Sequence, residues 1–192
     1  MKPQRSLKGR ALQYLAQREH SRLELRRKLL PHARAEDVAA GAARGESPDG
    51  VGADGDSLPQ SRALARVEAV LDWLTAHDYL SQERFIESRV HARASRFGNL
   101  RIRQELKQHA VALPADTAQA LRDSEFERAR AVRARKFSAP PATAADHARQ
   151  ARFLTGRGFS PEVIRRALRD AASKAAETAR TAPNSDTAPD TD

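Results

Sequence analysis

The sequence predicts an all-α protein built from repeated helix pairs, on three observations. Apolar residues recur at helical spacing along most of the chain, and no segment alternates apolar and polar residues as a half-buried strand does. The third observation is an internal repeat, because residues 10–29 return 139 positions later as residues 149–168. Such self-similarity is typical of arrays of supersecondary units that bury their apolar faces against one another.

The repeat is close enough to define equivalent positions. Seven of its twenty pairs are identical, namely Arg10/Arg149, Leu15/Leu154, Arg18/Arg157, Ser21/Ser160, Arg26/Arg165, Arg27/Arg166 and Leu29/Leu168. A weaker third copy, shifted by 77 from the first, aligns Ser21 with Gly98, Leu25 with Ile102, Arg26 with Arg103 and Leu29 with Leu106. The chain therefore contains three related helix pairs, each with an arginine next to an apolar seam.

The first pair and the segment after it have clear local signals. Helical spacing runs from Leu7 to Leu15, and Ser21 with Glu24 forms a capping-box pattern that starts a second helix. Pro31 is predicted to end that helix. Residues 33–60 are rich in glycine and acidic residues and have few large apolar side chains, which predicts a flexible insert.

The rest of the chain continues in the same way. A helix through Val67 and Leu74 precedes a serine cap at Ser81, and the Gly98-Asn99 turn introduces another helix. Beyond Pro114 we expect a short helix around residue 121 and a separate one over residues 126–136 that ends in a basic run. The last pair is predicted over residues 145–156 and 160–170, and residues 171–192 are expected to be a disordered tail.

The net charge of +9 is unevenly distributed. Residues 35–60 hold six acidic residues and one arginine, and residues 171–192 hold four acidic and two basic residues. Without these segments, 31 basic and 15 acidic residues remain of the 34 and 25 in the whole chain. The folded part is thus predicted to be strongly basic, which favours a polyanion or an acidic protein surface as partner.

Several function classes lack support in the sequence. The chain has no cysteine, its six histidines lack the spacing of metal ligands, and no apolar run approaches the length of a membrane span. The glycines of the insert lie among acidic residues that would repel a nucleotide, and the acidic pairs are explained as helix caps and surface charges. We therefore expect a soluble, cytoplasmic protein without catalytic activity, metal or cofactor.

Arginines on the second helix of each pair carry the functional signal. Arg26 and Arg27, Arg101 and Arg103, and Arg165 and Arg166 follow one another at intervals that suit a periodic partner such as a filament or a nucleic-acid strand. With a nucleic-acid partner, these arginines would contact phosphates, so binding would be tolerant of base sequence and sensitive to salt. The alternative is that these arginines coat a helical array and pair with glutamates.

The order of these motifs resembles the bacterial RecX family, regulators of the RecA recombinase. The resemblance rests on residues 11–21, 24–29, 73–80, 85–93, 98–106, 151–160 and 164–168, and it covers about residues 7–170. It implies an elongated, all-helical tandem array of three three-helix, helix-turn-helix-like repeats. The expected repeats are 1–80, including the insert 33–60, then 81–123 and 124–170, followed by the tail 171–192.

The resemblance also implies a function. The family binds within the groove of the RecA filament on DNA, impedes ATP hydrolysis and strand exchange, and contacts DNA. We expect a monomer that regulates DNA repair, recombination and the SOS response. The residues predicted to contact RecA or DNA are Arg22, Arg26, Arg27, Lys28, Arg89, Arg93, Arg101, Arg103, Lys107, Arg157, Arg165 and Arg166.

Two other classes remain as alternatives. One is a DNA-binding protein that acts without RecA, either tolerant of sequence or a helix-turn-helix transcription regulator, although the latter usually binds as a two-fold dimer. The other is a nuclease, which needs a carboxylate cluster for a metal ion.

Overall fold

The computed structural model describes residues 6–43 and 57–181, apart from the side chains of residues 57–59 and 179. Within these ranges the regular structure consists of eight α-helices and no strand, which confirms the predicted all-α class. The helices are α1 (Leu7–Leu15), α2 (Arg22–Ala43), α3 (Ser57–Ala76), α4 (Gln82–Ala94), α5 (Asn99–Gln108), α6 (Ala115–Lys136), α7 (Ala144–Gly156) and α8 (Pro161–Thr181).

The chain divides into two compact units. Unit 1 consists of Met1–Val90 and Glu105–Ala112, and unit 2 consists of His91–Gln104 and Leu113–Asp192. Helices α4 and α5 each contribute residues to both units.

The core of unit 1 lies where α1, α2 and α3 pack together. On α2 the fully buried residues are Leu25, Leu29 and Ala33, each one helical turn from the next. The buried face of α3 is Ala63, Val67, Leu71 and Leu74, and α1 adds Leu7 and Ala11. These residues form the apolar seam expected from the helical spacing in the sequence.

Helix α2 does not end at Pro31, so this prediction is wrong. The helix continues to Ala43 with Pro31 in its interior, although proline removes one backbone hydrogen bond there. Tertiary contacts explain the difference, because Ala33 is buried against α3 and Arg66 of α3 forms ion pairs with Glu36 and Asp37 of α2. These contacts stabilise the turns after the proline.

The boundaries of the predicted insert and tail also change. Residues 33–43 and 57–60 of the insert are helical, while residues 44–56 lie outside the described residues. Helix α8 continues through Thr181, eleven residues past the predicted end at 170, and residues 182–192 lie outside the described range. The alanine-rich composition of residues 171–181 accounts for this extension, because alanine has the highest helix propensity.

Helix α6 is a single helix of 22 residues, not the two predicted segments. No glycine or proline interrupts it, and its buried positions Leu121, Glu125, Ala129 and Val132 follow one face without a break. The predicted boundary between the second and third repeats, at residues 123 and 124, lies inside this helix.

The core of unit 2 is formed by α6, α7 and α8. Ala129 and Val132 pack with Leu154, Phe159, Ile164, Ala167 and Leu168, all of them buried. Helix α7 ends at Gly156, as predicted, and Gly158 has a φ of +79°, a conformation that glycine adopts without strain. This turn directs the chain into α8.

Two glycines bring the start of α5 against the α7–α8 turn. The Gly98 N–H donates to the Arg157 carbonyl (2.9 Å), and the Leu100 N–H donates to the Gly158 carbonyl (3.0 Å). A Cβ on Gly98 would lie 2.2 Å from the Gly158 oxygen, and one on Gly158 would lie 2.5 Å from Arg101 Cβ. This backbone contact therefore requires glycine on both sides.

A buried carboxylate joins the same two segments. Glu125 on α6 is only 5% exposed, and its Oε1 accepts hydrogen bonds from the Asn99 N–H (3.0 Å) and the Ser160 N–H (3.4 Å). Asn99 begins α5, and Ser160 directly precedes α8. The carboxylate thus satisfies N–H groups at the positive ends of two helices.

Unit 1 contains two histidines that titrate unusually. Burial lowers the pKa of His20 and of His109 below the ordinary 6.5, because desolvation disfavours the imidazolium, and for His109 the charge of Arg89 adds to the effect. Burial alone would raise the pKa of Glu24, but the hydrogen bond from Arg18 and the charge of His20 lower it to about 2.

These shifts give the stability of unit 1 a defined pH dependence. Between the lowered folded pKa and 6.5, the unfolded histidines bind more protons than the folded ones, so stability falls as pH falls through this window. We expect the urea midpoint to decrease between about pH 7.5 and about pH 5.5, before most carboxylates titrate. The double variant His20→Gln/His109→Gln should show a flatter dependence over this range. An unchanged slope in that variant would exclude the histidines as its source.

Candidate binding surfaces

The repeat in the sequence corresponds to two equivalent helix pairs in the structure, α1–α2 and α7–α8. The second helix of each pair begins after a serine cap, since the Glu24 N–H donates to Ser21 Oγ (3.1 Å) and the Val163 N–H donates to Ser160 Oγ (3.4 Å). The seam positions match as well: Leu25 and Leu29 are fully buried in α2, and Ile164 and Leu168 are buried in α8. The positions predicted to be equivalent therefore have the same backbone role.

The arginines beside the two seams have different surroundings. In unit 1, Arg22 lies 2.5 Å from Glu68 and 2.6 Å from Asp72, both on α3, and Arg26 also pairs with Glu68. These pairs hold the pKa of Glu68 below its ordinary value, the hydrogen bond from Arg26 being the largest cause. Two of the predicted contact residues thus join α2 to α3 through ion pairs.

Two further predicted residues lie around Glu24. Lys28 Nζ is 3.8 Å from Glu24 and 4.7 Å from the centre of the Tyr14 ring. Arg89 is 3.8 Å from Glu24 and 3.2 Å from Glu105. Four of the predicted residues in unit 1 therefore pair with acidic residues of the same chain, as the alternative interpretation expects. They are Arg22, Arg26, Lys28 and Arg89.

Other predicted residues are exposed and form no ion pair with the described part of the chain. These residues are Arg27 and Lys107 in unit 1, and Arg103, Arg165 and Arg166 in unit 2. Arg166 stacks over the ring of Phe126 at 4.0 Å, which fixes its position while leaving its charge uncompensated by a carboxylate. Such cations are available to an anionic partner without the loss of an internal ion pair.

Unit 2 also contains an aromatic and basic cluster. Arg93, Arg101 and Arg157 lie around the Phe97 ring, with guanidinium carbons 6.0, 4.5 and 5.5 Å from its centre. Arg157 also contacts the Phe153 ring at 5.1 Å, and Arg101 lies 3.4 Å from the Gly156 carbonyl. The structure thus brings together three predicted residues from α4, α5 and the end of α7.

Beside this cluster lies a shallow pocket that sequence reasoning missed. It has a volume of about 220 Å³ and is lined by Arg96, Val132, Arg135, Lys136, Phe153 and Arg157. The sequence identified Arg135 and Lys136 only as the basic end of a helix, and Arg157 as a predicted contact. No sequence signal places Arg96 with them, because the turn after α4 and the ends of α6 and α7 meet only through tertiary packing.

Within residues 6–43 and 57–181, no group of three or more histidine or acidic side chains is arranged to hold a metal ion. The same ranges contain no helix with both the length and the apolar character needed to span a bilayer.

Capped helix pairs, buried seams and exposed arginines define an all-α repeat protein with basic surfaces. Models of the RecX family match two parts of the chain: the second three-helix domain of RecX at residues 81–113 and the third at residues 123–168. The chain belongs to the RecX family.

Relatives named "Regulatory protein RecX" match the chain over most of its length. The protein of Leptothrix cholodnii is 48% identical over 172 residues, which cover 88% of this chain and 90% of that protein. The protein of Ralstonia nicotianae is 47% identical, covering 86% and 88%, and that of Neisseria gonorrhoeae is 32% identical, covering 89% and 94%.

Proposed function

We propose that this chain binds the RecA filament assembled on DNA and lowers the ATPase, strand-exchange and coprotease activities of RecA in DNA repair and the SOS response. It acts as a cytoplasmic monomer, by binding and without a catalytic step of its own. Each of the three repeats, at 1–80, 81–123 and 124–170, contributes exposed cations to its binding surface. Membership of the RecX family supports the regulatory role.

The observation that carries the proposal is the set of cations without carboxylate partners on the repeated helices. Arg27 on α2, Arg103 on α5 and Arg165 on α8 are exposed, and within the described residues none of them forms an ion pair. An acidic filament surface or bound DNA supplies the missing charge. A partner that is itself repetitive uses all three helices, whereas a small ligand needs one.

A charge-reversal variant tests this surface. Replacement of Arg27, Arg103, Lys107 and Arg165 by glutamate should raise the concentration that half-inhibits the DNA-dependent ATPase of RecA by about tenfold or more. Helical circular dichroism should not change, because these side chains make no ion pair within the described part of the chain.

The matched control carries the same change in net charge elsewhere. Replacement of Arg34, Arg62, Arg122 and Arg180 by glutamate alters four exposed cations outside the predicted surface. At physiological ionic strength charges act over about 8 Å, so this control should inhibit nearly as well as the unchanged chain. If both variants weaken inhibition equally, the effect comes from net charge and not from a specific surface. If the first variant inhibits RecA as well as the unchanged chain, Arg27, Arg103, Lys107 and Arg165 are not the binding surface.

The alternative function, a DNA-binding protein that acts without RecA, predicts a different result. A chain that does not affect RecA but binds DNA duplexes of any sequence, with strong salt dependence, would be a DNA-binding protein that acts alone.

A further inference from the structure

We propose that the pocket between the turn after α4 and the ends of α6 and α7 is a binding site for a backbone phosphate of nucleic acid. This pocket, hereafter the α6-end pocket, is lined by Arg96, Val132, Arg135, Lys136, Phe153 and Arg157. All of these residues belong to unit 2. The inference deepens the DNA contact within the proposed function by assigning it to specific residues.

The α6-end pocket carries uncompensated positive charge. Four cationic side chains line the α6-end pocket, no acidic residue does, and none of the four forms an ion pair with the described residues. Between α2 and α3 of unit 1, by contrast, Arg22 pairs with Glu68 and Arg66 pairs with Glu36. Bringing like charges together is unfavourable unless an anion binds between them.

Contacts within unit 2 hold some of these cations in place. Arg135 donates to the Ala131 carbonyl (3.3 Å) and to the Ser95 carbonyl, so its side chain spans from α6 to the turn after α4. Arg157 is positioned by the rings of Phe97 and Phe153, at 5.5 and 5.1 Å. These contacts reduce the entropy that an arginine loses when it binds an anion.

The dipole of α6 explains only part of the arrangement. Basic residues in the last turn of a helix interact favourably with its negative end, which accounts for Arg135 and Lys136 in an isolated helix. It does not account for Arg96 and Arg157, which come from other parts of the chain and line the same pocket. The four cations come from three segments of the chain, so tertiary packing brings them together.

The chemistry of the α6-end pocket favours a phosphodiester over a carboxylate surface. Three guanidinium groups can donate to several oxygens of one phosphate, a geometry that arginine provides and lysine does not. The half-buried ring of Phe153 supplies an apolar wall for the adjoining sugar. A volume of about 220 Å³ is large enough for a phosphate group.

The test measures binding of the full chain to DNA in the absence of RecA. The variant Arg96→Gln/Lys136→Gln removes two charges that form no hydrogen bond through their side chains within the described residues. The control Arg122→Gln/Arg169→Gln removes two exposed charges outside the α6-end pocket. The probes are a fluorescent oligothymidylate and a duplex of the same length, each titrated at several salt concentrations.

We expect the pocket variant to bind about tenfold more weakly and to reduce the salt slope by about 1, as for the loss of one phosphate contact. The control should keep both the affinity and the slope. A larger loss with oligothymidylate assigns the site to single strands, and an equal loss with both probes assigns it to the backbone they share. A charge-conserving variant, Arg96→Lys/Lys136→Arg, should keep most of the affinity if charge at this site is what matters.

The proposal is overturned if the pocket variant and the control have the same DNA affinity and salt slope. It is also overturned if the pocket variant binds DNA normally but binds RecA more weakly, which would assign the α6-end pocket to an acidic protein surface. Because RecA is absent from the DNA measurement, a negative result there does not contradict the proposed regulation of RecA. The ATPase assay tests that regulation separately.

Discussion

Replacement of Gly98 by alanine should lower the free energy of unfolding of unit 2 by about 3 kcal/mol. The new Cβ would lie 2.2 Å from the Gly158 oxygen and 2.3 Å from the Phe159 nitrogen, and both are backbone atoms. A flexible side chain could move aside, but here the start of α5 must separate from the α7–α8 turn. The two backbone hydrogen bonds across this contact are then lengthened or lost.

Gly156→Ala provides the control for Gly98→Ala. Gly156 lies at the end of α7, and a Cβ there meets no atom within 4 Å. Alanine should therefore leave stability unchanged or raise it by about 0.5–1 kcal/mol. Urea unfolding followed by circular dichroism, with hydrogen exchange at the Gly98 and Leu100 amides, measures the effect. If Gly98→Ala unfolds like the control, the close backbone contact does not exist in solution.

Replacement of Glu125 by alanine should have a comparable effect, about 3 kcal/mol, because it leaves one buried and one partly buried N–H group without an acceptor. The Asn99 N–H and the Ser160 N–H both donate to this carboxylate, which also faces the positive ends of α5 and α8. The variant also removes the charge opposite Arg128. Burial lowers the pKa of Arg128, and the negative charge of Glu125 opposes this shift. Without Glu125, more free energy is needed to keep the Arg128 guanidinium charged.

Two variants separate the contributions at Glu125. Glu125→Gln keeps an oxygen acceptor but loses the charge, so it should cost about half as much as alanine. Glu127→Ala, on the exposed side of α6, removes only a surface pair with Arg130 and should change stability by less than about 0.5 kcal/mol. A stability of Glu125→Ala equal to that of Glu127→Ala would contradict the role of the buried carboxylate.

Local signals in the sequence predicted much of the helical architecture. The serine caps at Ser21 and Ser160 and the end of α7 at Gly156 depend on hydrogen bonds and backbone angles within a few residues, so the sequence is sufficient to locate them. Pro31 shows the limit of such reasoning. Its local cost is offset by packing and ion pairs with α3, a helix some thirty residues further along the chain.

The site was harder to predict, because identical residues have different neighbours. Arg26 and Arg165 occupy equivalent places in the repeat, yet Arg26 pairs with Glu68 whereas Arg165 is exposed without an ion pair in the described part of the chain. Helical periodicity gives the face of a helix but not the charge that another helix places opposite it. For the same reason the sequence did not predict the α6-end pocket, because its lining residues come from different helices and a turn.

The most direct test of the account is the DNA-dependent ATPase rate of RecA as the full chain is titrated into preformed filaments. We expect strong inhibition at ratios well below one chain per RecA protomer, because the basic repeats bind the assembled filament. Inhibition only near equal ratios would indicate that the chain sequesters free RecA. An ATPase rate that stays constant across the titration would contradict the central claim.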